Sequence, residues 1–144
     1  MNEEKKGRIL GVDYGDVRTG LAVSDLLGFM ASGIGTIKMG GMRSTAEAVA
    51  KEAEKQEAVL IVIGLPKNMD GSEGFRAQAV RAFGALLAEY TSIPYTFYDE
   101  RLSTAEAHQI LNITNTSGKK RKNVIDTLSA QIILQNYLDA KRSV

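Results

Sequence analysis

Apolar and polar positions change their period along this chain, and the change divides it into elements. The first ~40 residues show short apolar runs separated by turn residues, which reads as a strand meander. Arg8 to Asp13, Thr19 to Ser24 and Gly33 to Lys38 are its three strands, joined by turns at Tyr14-Gly15-Asp16 and around Gly28. Gly40-Gly41 then breaks the chain. Ser44 or Thr45 is placed to cap a helix to about Gln56, with Ala46, Val49, Ala50 and Ala53 as its inner face. Ala58 to Ile63 is apolar at every position, the pattern of a strand buried on both faces, and Gly64-Leu65-Pro66 ends it. Helical period returns from about Gly74 to Tyr90, with Ala79, Val80, Phe83, Leu86 and Leu87 on one side. Tyr95 to Asp99 is a fifth strand. Ser103 to Glu106 is a capping box that opens a short helix to about Leu111. A polar loop from Asn112 to Gly118 leads to a last helix from about Asn123 to Ala140.

The order βββαβαβαα predicts an α/β fold. Its sheet is mixed and five-stranded, with strands 1–3 antiparallel, strands 4 and 5 parallel to strand 1, and helices on the faces. A chain of 144 residues fits a single domain, 1–144, with residues 1–6 as a disordered lead.

Three carboxylates stand out against this pattern. Asp13 ends strand one, Asp99 and Glu100 close strand five, and Asp126 interrupts the apolar face of the last helix, sharing a stripe with Ala130, Ile133 and Tyr137. Strands one and five run the same way in this topology, so their acids emerge at one edge. Open α/β sheets bind ligands at that edge. Like charges gathered there repel unless a cation neutralises them, and oxygen-only donors favour a hard ion such as Mg²⁺ or Mn²⁺. Each acid also has a plainer reading. Asp13 suits a hairpin turn, and an acid at a strand end beside Arg101 suits an exposed ion pair. Asp126, within about a turn of the helix start, suits the helix dipole. Spacing alone does not choose between Asp99 and Glu100.

Charge sharpens the picture only locally. The net charge of +1 excludes a uniformly basic nucleic-acid coat. The dense cluster Lys119-Lys120-Arg121-Lys122 sits just before Asp126 and reads as a solvated loop or a phosphate clamp. The loop after strand four carries Lys67 toward a helix start, where it reads equally as a phosphate contact or as a turn capped by Ser72 or Asp70. Met69 reads as packing, and His108, the only histidine, as an ordinary helix residue. There are no cysteines, the charged lead Met1 to Lys6 does not read as a signal peptide, and no apolar run reaches membrane-spanning length. A cytoplasmic protein is expected.

Four segments in order resemble the YqgF family, also called RuvX. They are Gly11-Val-Asp-Tyr-Gly-Asp-Val-Arg-Thr-Gly-Leu-Ala-Val-Ser-Asp25, Gly64-Leu-Pro-Lys-Asn-Met-Asp-Gly-Ser-Glu-Gly74, Asp99-Glu-Arg-Leu-Ser-Thr104, and Lys119-Lys-Arg-Lys-Asn-Val-Ile-Asp126 with Leu-Ser-Ala-Gln-Ile-Ile-Leu-Gln135. The resemblance covers nearly the whole chain. It implies an RNase H-like fold and a metal-dependent nuclease whose catalytic, metal-binding acids are Asp13, Glu100 and Asp126. It further implies processing of the 5′ end of 16S ribosomal RNA precursor, with resolution of Holliday junctions in branched DNA as the alternative. Arg18, Lys67, Arg101, Lys119, Lys120, Arg121 and Lys122 are the expected backbone contacts. Many members carry two basic residues where this chain has Val17 before Arg18, and Asp16 adds an acid. The chain is expected to act as a monomer or a homodimer, a dimer suiting the two cuts a junction needs. Two rivals lie outside the nuclease class. An ATP-binding domain of the actin type also begins with Asp-x-Gly, but closes two such domains around its nucleotide. A non-catalytic nucleic-acid-binding module would not need the complete acid set.

Overall fold

The computed structural model describes residues 7–38, 40–100 and 118–142, and of residues 118–124 the backbone only. The expected lead at 1–6, the short helix at 103–111 with His108, the loop at 112–117 and Arg101 lie outside the described residues.

Five strands form one sheet in the order β3-β2-β1-β4-β5. They are β1 (Arg8–Asp13), β2 (Thr19–Ser24), β3 (Ala31–Ile37), β4 (Ala58–Leu65) and β5 (Tyr95–Asp99). β1 pairs antiparallel with β2 and β2 with β3, while β1–β4 and β4–β5 are parallel, as expected. β3 begins two residues earlier than its apolar pattern indicated, because Ala31 is buried and pairs with Ser24.

Helices α1 (Met42–Lys55) and α2 (Phe75–Leu87) pack against one face. α1 starts earlier than its polar residues suggested, and α2 starts within a residue of the expected Gly74 but without the expected cap. Gly41 precedes α1, and Thr45 instead donates its hydroxyl back to the Gly41 carbonyl at 2.9 Å. Gly74 precedes α2, without a side-chain cap. Asp70 accepts hydrogen bonds from the amide and hydroxyl of Ser72 (2.9 and 2.6 Å), so both residues are occupied within the loop. The buried stripe of α2 is Ala77, Val80, Phe83, Gly84 and Leu87, which keeps Val80, Phe83 and Leu87 of the expected face and replaces Ala79 and Leu86 by Ala77 and Gly84. Leu10, Val12, Ile61, Ile63, Phe83 and Leu87 are among the large side chains of this core.

Helix α3 (Gly118–Arg142) covers the opposite face. Its buried stripe of Ala130, Ile133, Leu134 and Leu138 meets Ala22, Ala31 and Val62. Polar side chains fix it laterally. Gln135 Oε1 accepts from the Ala31 amide at 2.9 Å, Gln131 Nε2 donates to the Ala31 carbonyl at 3.1 Å, and the Thr36 and Thr127 hydroxyls meet at 2.9 Å. The last turn of α3 clasps the β2–β3 turn, where Arg142 donates to the carbonyls of Gly28 and Phe29 (3.2 and 3.0 Å). Among the described residues, no helix is long and apolar enough to cross a membrane.

Candidate active site

Strand alternation assigns the acids to a face. On β1, Leu10 and Val12 enter the core under α1 and α2, so Ile9, Gly11 and Asp13 belong to the α3 face. On β5, Tyr95 and Phe97 pack toward α2 and Tyr98 packs toward α3. Asp99 therefore continues the α2 side, and Glu100 follows Tyr98 onto the face that carries Asp13. The choice that spacing left open falls to Glu100.

Glycines make the approach of these groups sterically feasible. A side chain at Gly64, on β4 between the two acid-bearing strands, would overlap the Glu100 carboxylate and Ile133 Cδ1. A side chain at Gly20, the β2 residue paired with Asp13, would overlap the main-chain carbonyl of Asp126. The last helix thus lies against bare backbone at the point where it carries its acid.

The resulting electrostatics are those of a crowded anionic site. The carboxyls of Asp13 and Glu100 share a hydrogen bond. Burial holds Asp13 well above the usual carboxylate range, and the charge of Glu100, the bond to Glu100 and the charge of Asp126 add to this, against Arg76. Burial also raises Glu100, with Asp99 adding to it, while the bond from Asp13 and the charge of Arg76 act in the other direction. Two carboxylates taken from water at this separation cannot both stay ionised without a cation.

Asp126 reaches Asp13 by its charge but is engaged elsewhere. Arg18 Nε donates to its Oδ2 at 2.6 Å, and both side chains are partly exposed. Accordingly, no set of three or more His, Cys, Asp or Glu side chains among the described residues is gathered closely enough to hold one metal ion. The dipole reading of Asp126 loses its basis. α3 begins at Gly118, which puts Asp126 about two turns inside the helix, beyond the reach of the terminal dipole. The same early start turns the expected basic loop into helix, since Lys119, Lys120, Arg121 and Lys122 occupy its first turns.

Two further residues depart from expectation. Arg76, on the first turn of α2, is the cation felt by both Asp13 and Glu100. Nothing in its spacing marked it beyond its position just after the second motif. Met69, expected as packing, is 78% exposed. Lys67 is half-buried, and its charge acts on Glu73.

Comparison with known proteins agrees with this architecture. The family model described as RuvX: Holliday junction resolvase matches residues 7–140. The chain belongs to the RuvX family. It is 44% identical over 134 residues to a Heliobacterium modesticaldum protein named "Putative pre-16S rRNA nuclease", covering 93% of this chain and 90% of that one. A Clostridioides difficile protein of the same name is 46% identical over 135 residues, covering 94% and 96%. The solved structure of Thermus thermophilus RuvC in complex with Holliday junction substrate superposes with a TM-score of 0.56 at 15% identity, covering 94% of this chain and 96% of that one. That likeness is one of fold, the RNase H-like arrangement of RuvC-type resolvases.

Proposed function

We propose that this RuvX-family protein is a nuclease of residues 1–144 that hydrolyses phosphodiester bonds of the 16S ribosomal RNA precursor near its 5′ end, in the cytoplasm. The observation that carries the reading is the buried Asp13–Glu100 carboxyl pair on the sheet face to which α3 brings Asp126. No fold needs such a pair for stability, because burying two repelling acids costs free energy. The names of the relatives supply the substrate.

The donor set is all oxygen and excess in negative charge, which fits Mg²⁺ or Mn²⁺. Asp13 and Glu100 would hold the ion, with Asp126 joining once Arg18 releases it. A bound ion of this kind supplies charge stabilisation and an acidified water. The chain's own groups do the rest. Asp13 and Glu100 hold each other through their shared hydrogen bond in the resting site. Arg18 orients Asp126 and is placed to turn to a phosphate. Arg76 and Lys67 add positive charge at the start of α2, and Arg101 and the Lys119–Lys122 turns of α3 extend the contact surface for an RNA backbone.

The test compares a labelled 16S precursor 5′ leader with a four-way DNA junction, in Mg²⁺, Mn²⁺ or EDTA, for wild type and Asp13→Asn. Metal-dependent cutting of the RNA is expected, reduced below detection in Asp13→Asn while the melting temperature holds or rises, since the substitution removes a repelling acid. Cutting of the junction alone would move the substrate to branched DNA. Full cleavage by Asp13→Asn would remove the acid pair from the mechanism.

A further inference from the structure

The loop between β4 and α2 and the first residue of α2 each expose an apolar side chain. Met69 is 78% exposed and Phe75 is 88% exposed, the most exposed of the large hydrophobic residues among those described. A lone exposed apolar side chain needs no explanation. Here, however, the segment that holds both is firmly braced. The Asn68 amide donates to the Ser72 carbonyl and the Gly71 amide to the Asn68 carbonyl, each at 2.8 Å. Asn68 Nδ2 donates to the Ser72 hydroxyl at 2.9 Å. Just before Phe75, Glu73 is held by two parallel bonds from Arg81, both 2.7 Å, and Arg81 lies over the Phe97 ring at 5.1 Å. A loop with this many internal bonds keeps Met69 and the start of α2 in fixed positions.

Position supplies the occupant. Phe75 directly precedes Arg76, the cation felt by both Asp13 and Glu100. The loop leaves the sheet at Leu65, beside Glu100, whose amide donates to the Leu65 carbonyl at 3.2 Å. An aromatic side chain and a cation on successive residues at the start of α2, near a site that takes a phosphodiester, match the two parts of a nucleotide: a flat apolar base and an anionic phosphate. A base inside a duplex has its faces covered by its neighbours, so only an unpaired nucleotide can use the ring.

Resting on the nuclease reading above, we infer that Phe75 is a stacking platform for an unpaired nucleobase beside the cleaved phosphate, with Met69 extending its apolar surface and Arg76 meeting the phosphate. The protein thereby selects a single-stranded or splayed segment over a continuous duplex.

The experiment uses the full chain in EDTA, so that binding is read without cutting. Oligoribonucleotides from the precursor leader carry 2-aminopurine at successive positions, single-stranded or fully paired. Wild type is expected to quench one position of the single strand strongly. Phe75→Ala should lose that quenching and bind the single strand about 5- to 150-fold more weakly, the range for losing one stacked base. Phe75→Tyr should restore both, Phe75→Leu should not, and duplex binding should change less than twofold in all three. Because the side chain lies in water, none of the variants should shift the melting temperature. Equal weakening for duplex and single strand, or unchanged quenching in Phe75→Ala, would overturn the platform. Cleavage assays in Mg²⁺ on the same proteins separate this from the wider reading. An active Phe75→Ala that keeps wild-type preference for the single strand refutes the platform alone. A wild type that never cuts refutes the nuclease reading, and Phe75-dependent quenching would still support the stacking site.

Discussion

On one face of the sheet α1 and α2 meet Leu10, Val12, Ile61 and Ile63, side chains large enough to hold a helix at ordinary packing distance. On the other face α3 crosses Gly11, Gly20 and Gly64, each leaving room for a helix or site atom that a methyl group would displace. The first face gains stability from aliphatic area, at about 1.5–3 kcal/mol for each fully buried large side chain. The second gives up some of that area for proximity. Its product is a helix backbone close enough to set Asp126 beside a strand that ends in Asp13. On the proposed function, stability and chemistry fall to different faces of the same five strands, and substitutions on the two should fail in different ways.

The largest effect should come from Gly20→Ala. The added methyl meets the main-chain carbonyl of Asp126, and neither backbone can yield as a flexible side chain would. Overpacking of this kind costs about 3 kcal/mol or more. The melting temperature should fall by roughly 6–12 °C, and cleavage should be lost with it. Calorimetry and the leader assay on one preparation would check both, and a variant of wild-type stability would show that α3 can shift on the sheet. A smaller effect, of the other kind, is expected at Ile61→Val on the aliphatic face. It should lower stability by about 0.5–1.5 kcal/mol in urea titrations and leave the cleavage rate unchanged. A fall in rate there would mean that the two faces are mechanically linked.

The smallest effect concerns the turn far from the acids. Asp25 Oδ1 accepts from the amides of Phe29 (2.7 Å) and Met30 (3.4 Å), and these bonds, that from Phe29 first, hold its carboxyl below the usual 3.8. A depressed acid adds stability above its unfolded value and loses it as pH falls through the folded one. Asp25→Asn should therefore melt slightly below wild type at neutral pH, and the gap should close as pH falls below 3.8. A gap that persists at lower pH would assign the loss to the turn's shape instead of its charge.

Much of the scaffold was legible in the sequence. The bounds of β1, β2 and β5 and the direction of every strand follow from apolar runs and turn residues. Asp13, Glu100 and Asp126 attract notice because each breaks a local pattern. The remainder depends on distances between segments far apart in the chain. Gly20 looks like any turn-flanking glycine until α3 is laid over it. Asp99 and Glu100 are distinguished by strand parity, which requires knowing which face each helix covers. Arg76 and Phe75 sit on a helix start whose cap was misplaced, because Asp70 and Ser72 bond each other within the loop. The start of α3 was set too late because four basic residues in a row resemble a solvated loop, although Lys and Arg are good helix formers.

Helix α3 is pinned at two points: Arg142, in its last turn, grips the β2–β3 turn, and Asp126, about two turns from its start, stands over Gly20. The two residues are about 24 Å apart along the axis, at ~1.5 Å per residue. Over that length a tilt of about one degree moves Asp126 by roughly 0.4 Å, close to the ~0.5 Å placement tolerance of a working site. The distant clasp therefore acts as an alignment pin. A change in the turn around Phe29, which touches no reacting group, would be felt at the acids as a pointing error.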